Sequence, residues 1–324
     1  MNKSRTPAVW GIVLAAGEGV RARPFLQQLC GGRGIKQFCA VIGHRSMLQH
    51  TLDRVQRLIP RERILVVVST DHRNEVAQQL AQWPADNIIY QPTNRGTGPG
   101  ILLPLAYVTH RDPTATVAVF PSDHFIIDEA RFMATVERAV VEVQQFPHEL
   151  VLLGMTPDHP DHIEDGYGWI EPGVATAGRE SLTVRRFVEK PSSTYASQLL
   201  AHGGLWNTLV FTVRVSTLWE LFRSVAPDLC QTFNTIRFML NLSREPSFTA
   251  HAYEAMGTLN FSSEVCEPLA ARLRVLPSPP VGWSDWGNEE RILASLMRIG
   301  KLEECLARLH SRRDNKMDTV ALLG

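Results

Sequence analysis

The sequence predicts an α/β fold: a doubly wound, mostly parallel sheet covered on both faces by helices, joined by a β-rich second lobe and a helical C-terminal tail. Three observations carry this. Apolar runs alternate with segments of helical periodicity through the first 150 residues. Beyond residue 150 strands outnumber helices. Near the C-terminus, Ile292, Leu296, Ile299, Leu302 and Leu306 recur at helical spacing.

Taken in order, Val9–Ala16 is a short apolar run ending in glycines, which reads as a buried strand entering a loop. Met47–Ile59 places Leu48, Leu52, Val55 and Ile59 on one helical face behind Ser46, a residue type suited to capping. The alternation continues with a strand at Ile64–Val68, a helix near Arg73–Trp83, a strand at Asn87–Tyr90 and a helix near Pro99–His110. A strand at Thr116–Phe120 and a helix at Glu129–Gln145 follow. Strands are then expected at Leu150–Met155, Gly168–Glu171, Leu182–Glu189, Leu205–Thr212 and Arg272–Leu276, forming a second lobe on the same sheet. The expected division is a catalytic unit over 1–287, with halves of about 1–150 and 151–287, and a tail over 288–324. That tail either packs back on the core or presents an apolar stripe for a homodimer.

The 324 residues, 44% apolar and 20% charged, suffice for a full hydrophobic core. Lys plus Arg and Asp plus Glu number 33 each, so no net field favours nucleic acid or an anionic membrane as partner. The apolar run before Gly17 is too short for a signal-peptide core or a membrane span. Five cysteines at wide spacings, without a CxxC pair, suit a reducing cytoplasm.

The chemistry-bearing segments begin with LAAGEGVRARP (14–24), where Gly17 and Gly19 follow the first strand and Arg21 and Arg23 follow them. Glycines let successive N–H groups turn toward one anion, and an arginine can grip outer phosphates. Such loops also serve dinucleotides, but Ala22 replaces the third glycine and no helical pattern starts at once. Lys36, in GIKQF between Ile35 and Phe38, is a candidate to neutralise a pyrophosphate leaving group; a solvated surface charge is the plainer alternative. Asp123 in FPSDH ends a central strand, where parallel sheets bind ligands, and a carboxylate there suits Mg²⁺. Capping the next helix is the alternative, and Glu129 begins that helix several residues later. Asp285 in GWSDWGN is a second carboxylate, and two from distant parts of a chain can hold one metal over phosphates.

Together and in this order, these segments resemble the nucleotidyltransferase family that makes nucleotide sugars, and within it the mannose-1-phosphate guanylyltransferases. The likeness runs from about Val9 to Asn288 and implies a Rossmann-like nucleotidyltransferase fold of the GT-A type. LAAGEGVRARP is similar to the signature loop, GIKQF to the lysine segment and QPTNRGTGPG (91–100) to the base-binding segment. FPSDH and GWSDWGN resemble the two metal-aspartate segments, and GYGWIEPG (166–173), RFVEKP (186–191) and GLWNTLVF (204–211) the sugar-binding ones.

The resemblance implies that Ala15, Gly17, Gly19 and Arg21 bind the triphosphate, Lys36 the reacting phosphates, and Gln91, Arg95 and Thr97 the nucleoside. Gly168, Glu171, Glu189 and Asn207 would hold the sugar and Lys190 its phosphate, with Mg²⁺ on Asp123 and Asp285. The implied reaction joins a nucleoside triphosphate, GTP favoured, to mannose-1-phosphate or a related hexose-1-phosphate and releases pyrophosphate, with Arg21, Lys36 and Asp123 as the catalytic set. Four positions depart from the family pattern: Val20 for Thr, Leu209 for Gly, Ser262 for an acidic residue and Gln91 for Glu. The first three leave open a non-catalytic relative that binds nucleotide sugar. At Leu209 a narrower sugar pocket is expected, Gln91 leaves the preference for guanine open, and a nucleotidyltransferase using another triphosphate and sugar phosphate is a further alternative. A metal-dependent glycosyltransferase, by contrast, would not need the LAAGEGVR loop.

Overall fold

The structure of the chain, a computed structural model, describes residues 7–157 and 166–321; the first six and last three residues of the expected units lie outside them. In chain order come β1 (Val9–Ala15), α1 (Arg23–Cys30), α2 (Met47–Val55), β2 (Ile64–Ser69), α3 (Arg73–Gln79), β3 (Ile88–Gln91), α4 (Thr97–Arg111), β4 (Thr116–Pro121), α5 (Glu129–Gln145) and β5 (Leu150–Met155). Then follow β6 (Trp169–Ala175), β7 (Leu182–Val188), α6 (Ser193–Ala201), β8 (Leu205–Arg214), α7 (Val215–Val225), α8 (Pro227–Met239), α9 (Glu245–Ala255), β9 (Leu273–Ser278), α10 (Glu289–Arg298) and α11 (Leu302–Ala321).

The described strands form one sheet in the order β3-β2-β1-β4-β8-β5-β9-β7-β6, with β8 also reaching β6. β1, β2, β3 and β4 pair in parallel, as do β5 and β9; β8 runs antiparallel to β4, β5 and β6. Side chains alternate between two cores, one on each face. Ile12, Leu65, Val67, Val117 and Val119 enter one, and Val13, Val66, Val68, Ala118 and Phe120 the other. A strand covered on both faces has no polar side, which is why these runs read as continuously apolar.

Ser46 caps α2 as expected, accepting from Gln49 N while the Gln49 side chain accepts from Ser46 N. Two expectations fail. A helix, α1, does start directly after the glycine loop: Pro24 sits in its first turn, Phe25, Leu26 and Leu29 are buried, and Gly31 ends it at φ +72°. With eight residues it offers barely two turns of periodicity to read. The region beyond residue 150 is also not helix-poor, because α6, α7, α8 and α9 lie there. In α7, Leu218, Leu221 and Phe222 recur at three and four residues and are buried, and Cys230 and Phe233 do the same in α8. α7 begins at the residue after β8 ends, so no turn residue marks the change.

The tail is two helices broken at Gly300 (φ +67°). It packs back on the core: Ile292, Leu296 and Cys305 join Phe25, Leu26, Leu29 and Met47 in a third cluster, and Arg308 donates to the carbonyls of Ala40 and Val41. No described helix is long and apolar enough to cross a membrane.

Candidate functional site

Strand register builds the half of the site expected to hold phosphate. β1 and β4 are parallel neighbours in which Leu14 faces Pro121, and Ser122 N donates to Leu14 O, so the glycine loop and Asp123 leave the sheet side by side. Just beyond, Phe125 and Ser284 exchange backbone hydrogen bonds of 2.9 Å in each direction, which brings Asp285 back to Asp123 from 162 residues away. Lys36 ties the set together. Only 5% exposed, its Nζ lies 2.9 Å from Asp123 Oδ2 and also donates to the main-chain carbonyl of Asp285.

The loop itself is shaped for this lysine. Gly19 has φ +57°, and a Cβ there would stand 3.0 Å from Lys36 Cβ, so a side chain at 19 would push the lysine aside. Gly17 has open space around it. Gln37, buried beside Lys36, donates to the carbonyls of Ala15 and Gly17 at 2.8 Å each and fixes the loop's entry. Its role was not assigned from the sequence; the signal was a wholly polar amide next to a lysine in an otherwise apolar segment.

Arg21 is exposed and stands 3.9 Å from Asp285 Oδ2. Asp285 Oδ1 accepts from Arg291 Nη1 at 2.8 Å and from Gly287 N at 2.9 Å. Burial works to raise the Asp285 carboxyl, but Arg291 and Lys36 outweigh it and hold the group below the usual carboxylate range. His124, half-buried beside Asp123, is pushed down to about 4 by its loss of solvent and accepts from Trp283 Nε1 through Nδ1. Gly19, Arg21, Lys36, Asp123, His124 and Asp285 all line one cavity of about 330 Å³. A larger groove of about 1140 Å³, between the β3 edge and α9, contains none of them.

The sugar-side residues also meet through register. Trp169 of β6 faces Val188 of β7 and Trp206 of β8, so Gly168, Glu189 and Asn207 become neighbours at three strand ends. A Cβ on Gly168 would fall 2.7 Å from Glu189 Oε2 and 3.3 Å from Asn207 Cβ. Asn207 is aimed by a bulge: β8 has two extra residues between its pairings with Leu152 and Gly154, and Leu209 within it adopts φ +55°. Asn207 Oδ1 accepts from Leu209 N, and Thr208 Oγ1 donates to Leu153 O. The position explains why a glycine suits it. The Leu209 side chain is half-buried against the core beneath, so its cost falls on the backbone rather than on the pocket.

Ser262, the residue in the expected acidic position, is in this cluster too and accepts from Asn207 Nδ2 at 3.3 Å. Burial raises the Glu189 carboxyl above its ordinary value against the opposing pull of Lys190, whose Nζ is 3.7 Å away. Lys190, at φ +49°, and Trp286, at φ +46°, share the left-handed conformation of Leu209. Such strain outside glycine gathers at working sites.

Other expected residues are engaged elsewhere. Arg95 donates to the carbonyls of Tyr253 and Glu254 at 2.7 and 3.1 Å, and Thr97 Oγ1 accepts from Phe261 N. Glu171 is paired with Arg185 at 3.2 Å. Gln91 is buried; its Nε2 donates to Thr93 O, while Oε1 lies near Gly100 and has no hydrogen-bond partner among the described residues. The two halves of the site touch through Tyr167, whose ring is 5.2 Å from Trp283 and 5.0 Å from Trp206, and through Arg21, close to Gly166.

The chain matches the family described as Nucleotidyl transferase over residues 10–301. The chain belongs to that family. It is 36% identical over 226 residues to the xanthan biosynthesis protein XanB of Xanthomonas campestris pv. campestris, covering 68% of this chain and 46% of that protein. It is 33% identical over 294 residues to a mannose-1-phosphate guanylyltransferase of Escherichia coli (strain K12), covering 86% and 58%. The chain thus spans about half the length of the curated relatives it matches. A solved structure from Thermus thermophilus, described as a mannose-1-phosphate geranyltransferase, superposes with a TM-score of 0.74 at 25% identity, over 89% of this chain and 79% of that one. A Helicobacter pylori protein described as mannose-6-phosphate isomerase shares the fold, with a TM-score of 0.66 at 17% identity over 86% and 99%.

The residues present suit a divalent cation. Asp123 commits Oδ2 to Lys36 and Asp285 commits Oδ1 to Arg291 and Gly287, which leaves Asp123 Oδ1 and Asp285 Oδ2 outside those bonds on two carboxylates that line one cavity. Among the described residues no third His, Cys, Asp or Glu joins them, so water and substrate phosphate oxygens would complete the shell, as is usual for Mg²⁺.

Proposed function

We propose that this chain joins a nucleoside triphosphate to a hexose-1-phosphate, with GTP and mannose-1-phosphate as the substrate pair and GDP-mannose and pyrophosphate as products. The observation that carries the reading is the convergence of Gly19, Arg21, Lys36, Asp123 and Asp285 on one cavity, with the start of the sugar-binding segment close by: Gly166 beside Arg21 and Tyr167 against Trp283. The names of the guanylyltransferase relatives support the pair, and so does Gln91. One of its two amide N–H groups is used on Thr93, and its Oε1, without a partner among the described residues, is an acceptor of the kind the donors on guanine's pairing edge need.

In the proposed reaction a sugar-phosphate oxygen attacks the α-phosphorus in line, a new P–O bond forms, the bond to the β-phosphate oxygen breaks, and pyrophosphate leaves. The attacker is ionised at neutral pH, so no general base is needed. A divalent cation held by Asp123 and Asp285 would supply charge neutralisation at the α-phosphate. Arg21, exposed at the cavity, grips the outer phosphates. Lys36, fixed by Asp123 and the Asp285 carbonyl, meets charge as it develops on the leaving group without having to reorganise. Glu189 and Asn207 orient the sugar, and Lys190 pairs with its phosphate. The nucleotide half before about residue 150, the sugar half up to 287 and the tail are parts of the same proposal.

The test is incubation with GTP, mannose-1-phosphate and Mg²⁺ and measurement of released pyrophosphate, repeated with other triphosphates and hexose phosphates. Release that requires both substrates is expected. Binding of nucleotide sugar with no release from any pair would instead mark a non-catalytic relative.

A further inference from the structure

Arg291 belongs to none of the segments that carry the family likeness. It lies on α10, whose neighbouring residues Ile292 and Leu296 are fully buried, and it would be expected among solvated charges. Its side chain is instead 5% exposed. A guanidinium that deep in protein is costly unless its donors are met. Here Nη1 meets Asp285 Oδ1 at 2.8 Å, while the planar head lies 3.8 Å over the ring of Tyr167, the residue between Gly166 and Gly168 in the sugar segment.

The surroundings are built for this contact. Asn288 caps α10 by accepting from Arg291 N, which fixes the residue's place at the helix start. A Cβ on Gly287 would stand 2.7 Å from Asp285 Oδ2, 2.9 Å from Arg21 Nη2 and 3.1 Å from Arg291 Nη1, so the three groups close over a residue with no side chain. Asp285 is held at three points: Arg291 and Gly287 N on Oδ1, and Lys36 on the main-chain carbonyl. Oδ2 has only the longer ion pair with the exposed Arg21, at 3.9 Å, and is the oxygen open to exchange that pair for a ligand.

We propose that Arg291 is a positioning residue: it clamps Oδ1 of Asp285 so that Oδ2 is presented to the divalent cation, and its stacking on Tyr167 ties that carboxylate to the sugar-binding segment. This rests on the metal-assisted transfer proposed above. Partners that orient a ligating group typically matter 10–100-fold for metal affinity or activity.

The experiment titrates Mn²⁺ by calorimetry into the full chain in the presence of a GTP analogue with a non-cleavable α–β bridge, alongside steady-state kinetics. Arg291→Met is expected to weaken Mn²⁺ binding about 10–100-fold and to lower kcat similarly, with little change in KM for the sugar phosphate. Arg291→Lys, which keeps the charge but not the fork, should fall between. Adding Arg291→Met to Asp285→Asn should weaken Mn²⁺ binding no further, and this pair also serves if the single variant folds poorly, because position 285 then carries no charge that needs Arg291. Wild-type Mn²⁺ affinity in Arg291→Met, or additive losses in the double variant, would overturn the positioning role alone. Wild-type protein that neither binds Mn²⁺ nor releases pyrophosphate would overturn the functional reading and, with it, this inference.

Discussion

The two sides of the site are built from opposite materials. On the phosphate side, charged groups are buried against one another: Lys36 on Asp123, Arg291 on Asp285, with Gln37 holding the loop that faces them. On the sugar side the closer contacts are neutral hydrogen bonds on bent backbone, with Asn207 on Ser262, Leu209 in a bulge and Lys190 left-handed, its ammonium a looser 3.7 Å from Glu189. On the proposed reading a triphosphate would bring charge to exchange for ion pairs already in place, so that side is prepaid in electrostatics. A sugar brings hydroxyls, which need acceptors and donors at fixed positions more than they need field.

Breaking the phosphate side should cost most. Asp123→Asn keeps the shape but removes the charge that pairs with Lys36, and kcat for pyrophosphate release is expected to fall on the order of 10³-fold, since charge stabilisation of this kind supplies several kcal/mol. Near-normal turnover at saturating Mg²⁺ would sink the assignment. Gly19→Ala tests geometry rather than charge: the methyl would press on Lys36 Cβ and require a left-handed alanine, and a misplaced lysine should cost about 10²-fold in kcat. Gly17→Ala, with nothing within 4 Å, is the control for loop structure in the free protein.

On the sugar side, Lys190→Ala should raise KM for the sugar phosphate about 10-fold and leave KM for the triphosphate alone, because its ammonium is exposed and acts by one charge-assisted contact. An unchanged sugar-phosphate KM would remove Lys190 from the site. The smallest effects concern pH, where the two sides have opposite signs. Burial lowers the His72 imidazole, whose ring stands edge-on to Phe38, two residues from Lys36. Its stability contribution is complete above the ordinary value of 6.5 and is lost as pH falls toward the depressed one. Burial raises the Glu189 carboxyl, so its contribution is complete below the ordinary value of 4.5 and is lost as pH rises through the folded one. Glu189→Gln should therefore raise Tm at neutral pH while weakening sugar binding, and His72→Gln should flatten the acid side of the Tm profile. A Tm in Glu189→Gln that is lower at every pH would show that the carboxylate holds the fold as well as the sugar.

The strands were legible because two-sided burial writes an unbroken apolar run, and β1, β2 and β4 need no tertiary knowledge to find. α1 was not, with only Phe25, Leu26 and Leu29 to mark it, and α7 was hidden because it follows β8 with no punctuation. In the site, the order of motifs was readable, and Lys36, Asp123 and Asp285 were named from it. What a motif string does not contain is register. The Phe125–Ser284 bridge decides that Asp285 meets Asp123, and only then does Arg291, six residues on, become a clamp and not a surface charge. Arg95 and Thr97 show the reverse: residue types suited to a nucleoside, in the expected segment, are turned toward Tyr253 and Phe261.

β8 pairs with β4 at one end and with β6 at the other, and its two-residue excess lies between. One strand thus acts as a ruler for both halves of the candidate site. Removing a single residue from the bulge would slide Asn207 relative to Glu189, or Phe211 relative to Val119, and no side-chain substitution could restore both spacings. Length changes should therefore be far less tolerable within Asn207–Phe211 than in the surface connections of this chain, where a loop can grow without moving either half of the site.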